Sequence, residues 1–399
     1  KQENKAARTN LSTLALTINL KRQTNEKSPC YTAAKKANCS NWAIGEMGHS
    51  NGFADTQEGK GNRHVLLRAA FGNGDCERSA LSGISDWHER AFSPQQMGRA
   101  AIFIALPLAL TIFVWPHTAV EGTGAGTWFQ WVKTYSCLAG AILGWLIVYF
   151  PAFQKKYIVC IPPIIFAINI LEACIRDFQL TGVNGIVDGY MVVGGPWNVM
   201  NGVAGILNAL CICGFFGIIV GRGKKKDYVW PDQLWFWIIG YDLWNFAYTY
   251  NSVSDRSMYC GLVLLAACTI PAFFIKRGAY AQHRVRTLAV NMIVTMTVPW
   301  FFLHPACVVH STNAPQLTDD FGIALIFNVC VFVYQAYTIF GKKRNPFKQE
   351  LYIDNPGFRK VYLESIDVPE DQREAALANL EEFGYAAAWD EKGRVKTMV

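Results

Sequence analysis

Residues 157–175 read YIVCIPPIIFAINILEACI, with Lys155 and Lys156 directly before them and Arg176 directly after them. A transmembrane helix needs about twenty predominantly apolar residues, and this stretch has that character. Seven further stretches of the chain share the pattern. The sequence therefore predicts an all-α, polytopic bundle of about eight transmembrane spans, near 100–117, 134–153, 157–175, 197–221, 231–251, 257–275, 285–303 and 321–340.

The connections between these spans alternate in charge. Sixteen Lys and Arg lie on alternate connections and beside the two ends of the bundle, whereas the other connections carry only Lys133, Arg176 and Arg256. Cytoplasmic loops of membrane proteins have an excess of Lys and Arg. The alternation therefore predicts that both ends of the bundle are cytoplasmic. A buried soluble helical bundle would not produce such an alternation.

The net charge of +7 comes largely from the basic connections. Topology and anionic lipid head groups account for it, so we expect the lipid bilayer as a partner and no nucleic acid. The spans contain no Lys for a Schiff base, and the HExxH, CxxC and phosphate-loop motifs are absent from the sequence. We therefore expect no cofactor and no metal, and we interpret the twelve cysteines as structural thiols. The sequence leaves the oligomeric state open.

The chain before the bundle, residues 1–98, is polar and shows little hydrophobic periodicity. Segments of this composition bury too little apolar surface to fold, so we expect a disordered arm. The chain starts with Lys1, and Met97 stands directly before the first span. We therefore expect a natural start near Met97 and an arm that is a non-native extension.

The chain after the bundle, residues 342–399, is predicted to be a cytoplasmic tail. Asp367 is a candidate helix cap, and Pro369 follows it just inside the first turn. Leu380 and Phe383 then lie on one helix face together with Ala376. These features predict a short amphipathic helix on the bundle or the membrane surface, joined to a bundle at 99–341. An independent regulatory domain is less favoured, because so few residues rarely form their own core.

Polar side chains inside the predicted spans are the candidates for function, because ionisable and amide groups are costly in a bilayer. Spacings of three and four residues place Asn169, Glu172 and Arg176 on one face of the third span. Polar stripes also run along the fourth and fifth spans. The predicted ligand-binding residues are Glu172, Asp242, Asn245, Asn169, Arg176, Asn198, Asn201, Tyr248 and His304. They predict a polar cavity that opens outward, lined by spans three, four, five and seven.

Glu172 is the first candidate in this set and Asp242 the second. A carboxylate there can bind a cation or an amine, or carry a proton. Arg176, one turn from Glu172, offers a structural ion pair as the alternative. Interhelical hydrogen bonds from Asn and Asp also hold membrane bundles together, at about 0.6–2 kcal/mol each, so the asparagines taken singly are expected to be structural. The Gly-rich loop 181–196 predicts either a lid over the cavity or a plain surface loop.

Three stretches carry a resemblance to known sequences: GPWNVMNG at 195–202, WPDQLWFWIIGYDLWNFAYTYN at 230–251 and CTIPAFFIKRGAYAQHR at 268–284. They resemble an uncharacterised family of bacterial multi-pass membrane proteins, a domain of unknown function, and the resemblance extends over about 128–345. It implies a bacterial cytoplasmic membrane location and offers no activity, substrate or site residue. The polar arm at 1–98 does not fit the family's pattern.

These patterns favour the binding and movement of a small polar or cationic solute, or of protons coupled to one, through the cavity. A membrane-embedded enzyme or sensor that uses the same pocket is the first alternative. Ser136 and Ser252 lie in or at the spans without an evident His partner, which makes catalysis the weaker hypothesis. The second alternative is a structural membrane component whose polar groups only hold helices together.

Overall fold

A computed structural model of the chain describes residues 94–221, 226–304, 307–308, 314–366 and 368–388. In these ranges the chain is mostly helical, and one helix lies at each predicted span. The helices are α1 (Gln96–Phe113), α2 (Trp128–Tyr149), α3 (Ile161–Leu180), α4 (Pro196–Leu210), α5 (Trp235–Ser252), α6 (Met258–Phe274), α7 (Tyr280–Thr297) and α8 (Ala314–Ala336).

Shorter elements connect and follow these helices. Four short strands pair as antiparallel hairpins, β1 (Asn184–Val187) with β2 (Tyr190–Val193) and β3 (Ile219–Val220) with β4 (Tyr228–Val229). The tail contains α9 (Pro356–Ile366) and α10 (Arg373–Phe383). Turns of π-helix occur at Ala101–Ala105, Met258–Val263 and Tyr337–Gly341, and short helices at Trp115–Thr118, Pro151–Phe153, Lys156–Val159, Phe215–Gly217, Ser254–Arg256, Pro299–Leu303, Glu370–Gln372 and Gly384–Ala388.

Among the described residues, four helical segments are long and apolar enough to cross a membrane: Gln96–Phe113, Trp128–Tyr149, Lys156–Leu180 and Phe321–Gly341. Met258–Phe274 is apolar but shorter. The predicted helical membrane bundle is confirmed in this coarser form. α4 is only 15 residues long, and α5 and α7 each carry charged residues, which lowers their apolar character.

Several helices differ in their bounds from the predicted spans, and at two of these differences the chain turns at a glycine. α4 ends at Leu210, whereas the prediction continued to 221, because the chain turns at Gly214, whose φ of 73° lies in the left-handed region. α7 begins at Tyr280, five residues before the predicted start, after a turn at Gly278 with a φ of 76°. The earlier start places Arg284 inside the helix.

The helices pack in two groups. α4 packs on α3 and α8, and α5 on α8, to form the first group; α7 packs on α2 and α6 to form the second, with α1 against α2. The second group has its own apolar core, which includes Phe103 of α1, Leu138 of α2 and Ile293 of α7. The larger core extends under the tail and contains side chains of both groups, such as Ile147 of α2, Ala204 of α4 and Leu265 of α6. α5 of the first group also contacts α6 of the second.

Amide side chains join the helices of the first group. Asn208 of α4 donates to Asn328 Oδ1 of α8 at 3.0 Å, and Asn328 donates to the Gly240 carbonyl of α5 at 2.9 Å. A Cβ at Gly240 would lie 2.8 Å from Asn328 Oδ1, so the two backbones need glycine to approach this closely. These contacts hold α4, α5 and α8 as one unit.

The tail packs on the end of the bundle where α5 begins, which we call the tail end. Asp232 accepts hydrogen bonds from the backbone N of Leu351 at 3.2 Å and of Tyr352 at 3.4 Å. Glu350 is buried beside Asp232, and a Cβ at Gly217 would overlap its carboxylate. Burial raises the pKa of both carboxyls, and the charge of Asp232 raises the pKa of Glu350 further. Glu350 is therefore the carboxyl of the pair that keeps a proton.

The structure describes only part of the two predicted ends of the chain. Residues 1–93 of the predicted arm lie outside the described residues, but α1 already contains Gln96, which is buried and accepts a hydrogen bond from Trp145 Nε1. Asp367 also lies outside the described residues. In the predicted tail helix Leu380 is buried, whereas Phe383 is exposed.

Candidate functional site

A cavity of about 530 Å³ lies between the two helix groups. Residues of α2 and α7 line it from the second group, and residues of α3 and α5 from the first. The first and last lining residues are 128 and 144 on α2, 162 and 179 on α3, and 281 and 295 on α7. At a rise of about 1.5 Å per residue, the cavity extends roughly 20–25 Å along these helices, so it follows most of the length of the bundle.

Five of the nine predicted binding residues line this cavity. They lie on α3 and α5: Asn169, Glu172, Arg176, Asn245 and Tyr248. The structure therefore brings together the polar faces of these two helices. The predicted contribution of the fourth span is absent from the lining, and α2 takes its place, because α4 directs its polar stripe towards α3, α5 and α8.

Glu172 and Arg176 do not form the ion pair that was the alternative interpretation. Arg176 Nη2 lies 2.8 Å from Asp188 Oδ2, at the turn of the β1–β2 hairpin. Glu172 is partly buried and forms no hydrogen bond or ion pair with any described residue. An ionisable group without a partner in a membrane cavity is a candidate contact for a ligand.

Asp242 lies outside the cavity, in contrast to its predicted role. Its carboxylate accepts hydrogen bonds from Thr269 Oγ1 of α6 and from Tyr280 Oη of α7, the latter at 2.7 Å. Both oxygens of Asp242 are therefore engaged. This residue joins α5 to α6 and α7, which is the structural alternative for a polar group in a span.

Asn198 and Asn201 also lie outside the cavity, because they bind Asp177. Asn201 Nδ2 donates to Asp177 Oδ2 at 2.7 Å, and Asn198 and Asn251 donate to Oδ1 at 3.3 and 3.4 Å. All four side chains are fully buried. The predicted third span ends at residue 175, but α3 continues to Leu180 and carries Asp177 into the interior.

His304 is exposed, directly after the short helix at Pro299–Leu303, and is not among the lining residues. His310 lies outside the described residues. Among the residues that the structure describes, no three His, Cys, Asp or Glu come together as metal ligands.

The predicted loop 181–196 is a β-hairpin, and its tip contributes Val187, Asp188 and Tyr190 to the cavity lining. Asp188 and Gly189 both have positive φ, as a two-residue turn that matches the strand twist requires. Burial raises the pKa of Tyr190, which keeps its hydroxyl protonated; the hydroxyl lies 3.2 Å from Gln130 Oε1 of α2. We call this the hairpin end of the bundle.

A buried arginine pairs with an acid beside the hairpin. Arg256 is fully buried, lies 3.1 Å from Asp255 and stacks 4.4 Å above the Tyr190 ring. Its Nη2 also donates to the Gly189 carbonyl at 3.1 Å. Arg256 therefore anchors the hairpin to the end of α5 and is neutralised there.

Arg284 of α7 lines the cavity and was not among the predicted binding residues. Its side chain is 4% exposed, and it donates from Nε to Tyr241 Oη at 3.1 Å and from Nη2 to Asn245 Oδ1 at 3.2 Å. No carboxylate of the described residues forms an ion pair with it. Its position in the sequence, beside other basic residues, gave it the pattern of a connection residue.

The charges of the lining are unbalanced. Five cations and two acids line the cavity: Lys133, Arg176, Arg256, Arg284, Arg286, Glu172 and Asp188. Two of the cations have acid partners, Arg176 with Asp188 and Arg256 with Asp255. Three cations therefore face a single unpaired carboxylate among the described lining residues.

In the described part of the chain, four apolar helices of spanning length and an elongated cavity between helix groups define a helical membrane protein with an internal site. The chain belongs to the DUF5692 family of unknown function, whose family model matches residues 89–364. The predicted resemblance to an uncharacterised family is thereby confirmed, and the match extends further at both ends than expected. No curated protein and no solved structure matches the chain.

Proposed function

We propose that this protein is a multi-pass protein of the bacterial cytoplasmic membrane, with eight spans and both ends cytoplasmic, that binds a small polar solute in the cavity and moves it across the bilayer. The observation that carries the proposal is the cavity itself. It extends along most of α2, α3 and α7, and its volume of about 530 Å³ is that of a small-molecule site.

The position of the cavity between two helix groups supports movement rather than storage. The lining comes from helices of both groups, so a shift of one group against the other would change the shape of the cavity. Shifts of packed helix groups around a central site are a common basis of transport. The charge of the lining favours a polar or anionic solute over the cationic one, because three lining cations lack an acid partner.

The proposal is tested by filling the cavity. Gly144 of α2 lines it, and a Cβ there meets no atom within 4 Å. Gly144→Trp is therefore expected to fold and to occlude the site. Gly98 of α1 has equally open surroundings but does not line the cavity, so Gly98→Trp is the matched control.

The measurement is thermal stabilisation of the detergent-purified protein by polar solutes grouped as amines, carboxylates, phosphates and uncharged polyols. We expect at least one group to stabilise the wild type and Gly98→Trp but not Gly144→Trp. A wild type that no group stabilises, or a Gly144→Trp variant that responds like the wild type, would overturn the proposal.

A further inference from the structure

We propose that Arg284 is the centre of an anion subsite in the cavity, and that the solute presents a carboxylate or phosphate oxygen to it. This inference rests on the proposed function and names the chemical class of the solute. Its first support is the burial of the Arg284 guanidinium in a lining position, where a cation without a counter-ion is costly.

The hydrogen bonds of Arg284 are incomplete. A guanidinium has five N–H donors, and the two partners of Arg284 are the neutral oxygens of Tyr241 and Asn245. Its Nη1 has no hydrogen-bond partner in the described part of the chain. Asp242 attracts the guanidinium from a distance, but the Thr269 and Tyr280 hydroxyls already occupy its oxygens.

The other fully buried lining atoms without a partner also carry a hydrogen, whereas the unpaired Glu172 carboxylate is only partly buried. Buried polar atoms without a partner occur on five lining side chains, Ser252 Oγ, Arg256 Nη1, Arg284 Nη1, Asn291 Nδ2 and Thr295 Oγ1; a sixth, Trp244 Nε1, lies against Gly205. Hydroxyl and N–H groups donate hydrogen bonds. A solute that satisfies them must supply acceptors, which carboxylate and phosphate oxygens do.

Three of these groups lie on one face of α7. Asn291 follows Arg284 by seven residues and Thr295 follows Asn291 by four, which places the three side chains along a single stripe. Leu288 completes the stripe as an apolar lining residue between them. The face of α7 therefore combines one cation, two neutral donors and an apolar contact. This is the combination that orients a small organic anion.

The test compares anionic and cationic probes on purified full-length protein. The probes are succinate and inorganic phosphate, matched with 1,4-diaminobutane as the amine, and dihexanoyl phosphatidic acid distinguishes a lipid phosphate from a free one. Thermal shifts at millimolar concentration give the apparent affinities. We expect stabilisation by at least one of the anionic probes and none by the diamine.

Two variants address Arg284. Arg284→Gln removes the charge, and Asn245→Asp places a permanent carboxylate beside Nη2, 3.2 Å away, while keeping an acceptor for it. Both are expected to weaken anion binding roughly 10- to 100-fold, as loss of a charge-assisted hydrogen bond does. Asn245→Asp keeps the test valid if Arg284→Gln does not fold. Arg344→Gln, which removes a cation outside the cavity that pairs with Asp354, is the charge control.

The outcomes separate this inference from the function on which it rests. Anion binding that is lost in both variants and kept in Arg344→Gln supports the subsite. Anion binding that survives both variants, or a response to amines or polyols without one to anions, overturns the subsite and leaves the cavity function standing. A wild type that no solute stabilises overturns both.

Discussion

Asp177 and Arg284 are both buried, ionisable and inside a helix of the bundle, yet their surroundings differ. Asp177 accepts hydrogen bonds from three amide side chains, and these link α3, α4 and α5. Arg284 has two neutral partners, one nitrogen without any, and a cavity beside it. Completeness of hydrogen bonding, rather than the presence of a charge, therefore separates a group that holds helices together from one that is free to bind a ligand.

The largest effect that tests this comparison is expected from Asp177→Ala. The substitution leaves the amides of Asn198, Asn201 and Asn251 without their shared acceptor. Three interhelical hydrogen bonds at about 0.6–2 kcal/mol each predict a loss of roughly 2–6 kcal/mol in the free energy of unfolding, measured by denaturation in detergent. Solute binding by the folded fraction should be unchanged. A variant of normal stability that binds no solute would place Asp177 in the functional site.

Glu350 sharpens the comparison, because its Oε2 also lacks a partner but it does not line the cavity. Burial and the charge of Asp232 raise its pKa above the ordinary value of 4.5. The folded protein therefore holds a proton that the unfolded chain releases as the pH rises past about 4.5. By linkage, this contribution to stability is greatest below that pH and is lost as the pH rises towards the raised pKa.

The measurement is the melting temperature as a function of pH for the wild type and Glu350→Gln. The amide cannot ionise, so the variant should be more stable than the wild type at the upper end of the range, and the difference should vanish at low pH. Curves that stay parallel would mean that Glu350 does not carry the proton. Solute binding should be the same in both proteins.

Asp242→Asn is expected to have a smaller effect. One of the two hydroxyl donors, from Thr269 or Tyr280, loses its carboxylate acceptor, which predicts a loss of about 1–2 kcal/mol in stability. Because Asp242 does not line the cavity, the affinity for the solute should change little. If the variant is as stable as the wild type and binds no solute, Asp242 acts in the site after all, as the sequence indicated.

The smallest effect is expected from the Arg176–Asp188 pair. Its side chains are 33% and 57% exposed, and exposed ion pairs contribute about 0–1 kcal/mol. Asp188→Asn should therefore leave the melting temperature almost unchanged. The effects of Asp177→Ala and Asp188→Asn can then be compared. Asp177 is fully buried and bound by amides, whereas Asp188 is exposed and paired with an arginine. A large destabilisation by Asp188→Asn would show that the hairpin turn depends on this contact.

The sequence was sufficient for the helices and for part of the cavity. Apolar length predicted a helix at each of the eight positions, and the spacing of Asn169, Glu172 and Arg176 predicted a shared face that does line the cavity. Both inferences depend on local periodicity, which a single sequence records. That all eight helices cross the membrane, and that both ends of the bundle are cytoplasmic, are still predictions.

The sequence was insufficient where a partner is distant along the chain. Arg176 was matched with Glu172 because they are one turn apart, but its partner Asp188 comes from the hairpin. Arg284 was counted with the connections because the predicted seventh span began at residue 285, although Gly278 marks the turn that precedes α7. Which of several polar side chains meets a cavity depends on helix rotation, and rotation is decided by packing between helices.

The hydrogen bonds from the tail to Asp232 have a consequence for the order in which the parts of the chain assemble during synthesis. Residues 350–352 leave the ribosome after all of α1 to α8, yet Asp232 obtains two of its hydrogen-bond donors only from them. Until then the connection between α4 and α5 holds a carboxylate without those donors. The tail therefore completes the hydrogen bonding at this end of the bundle.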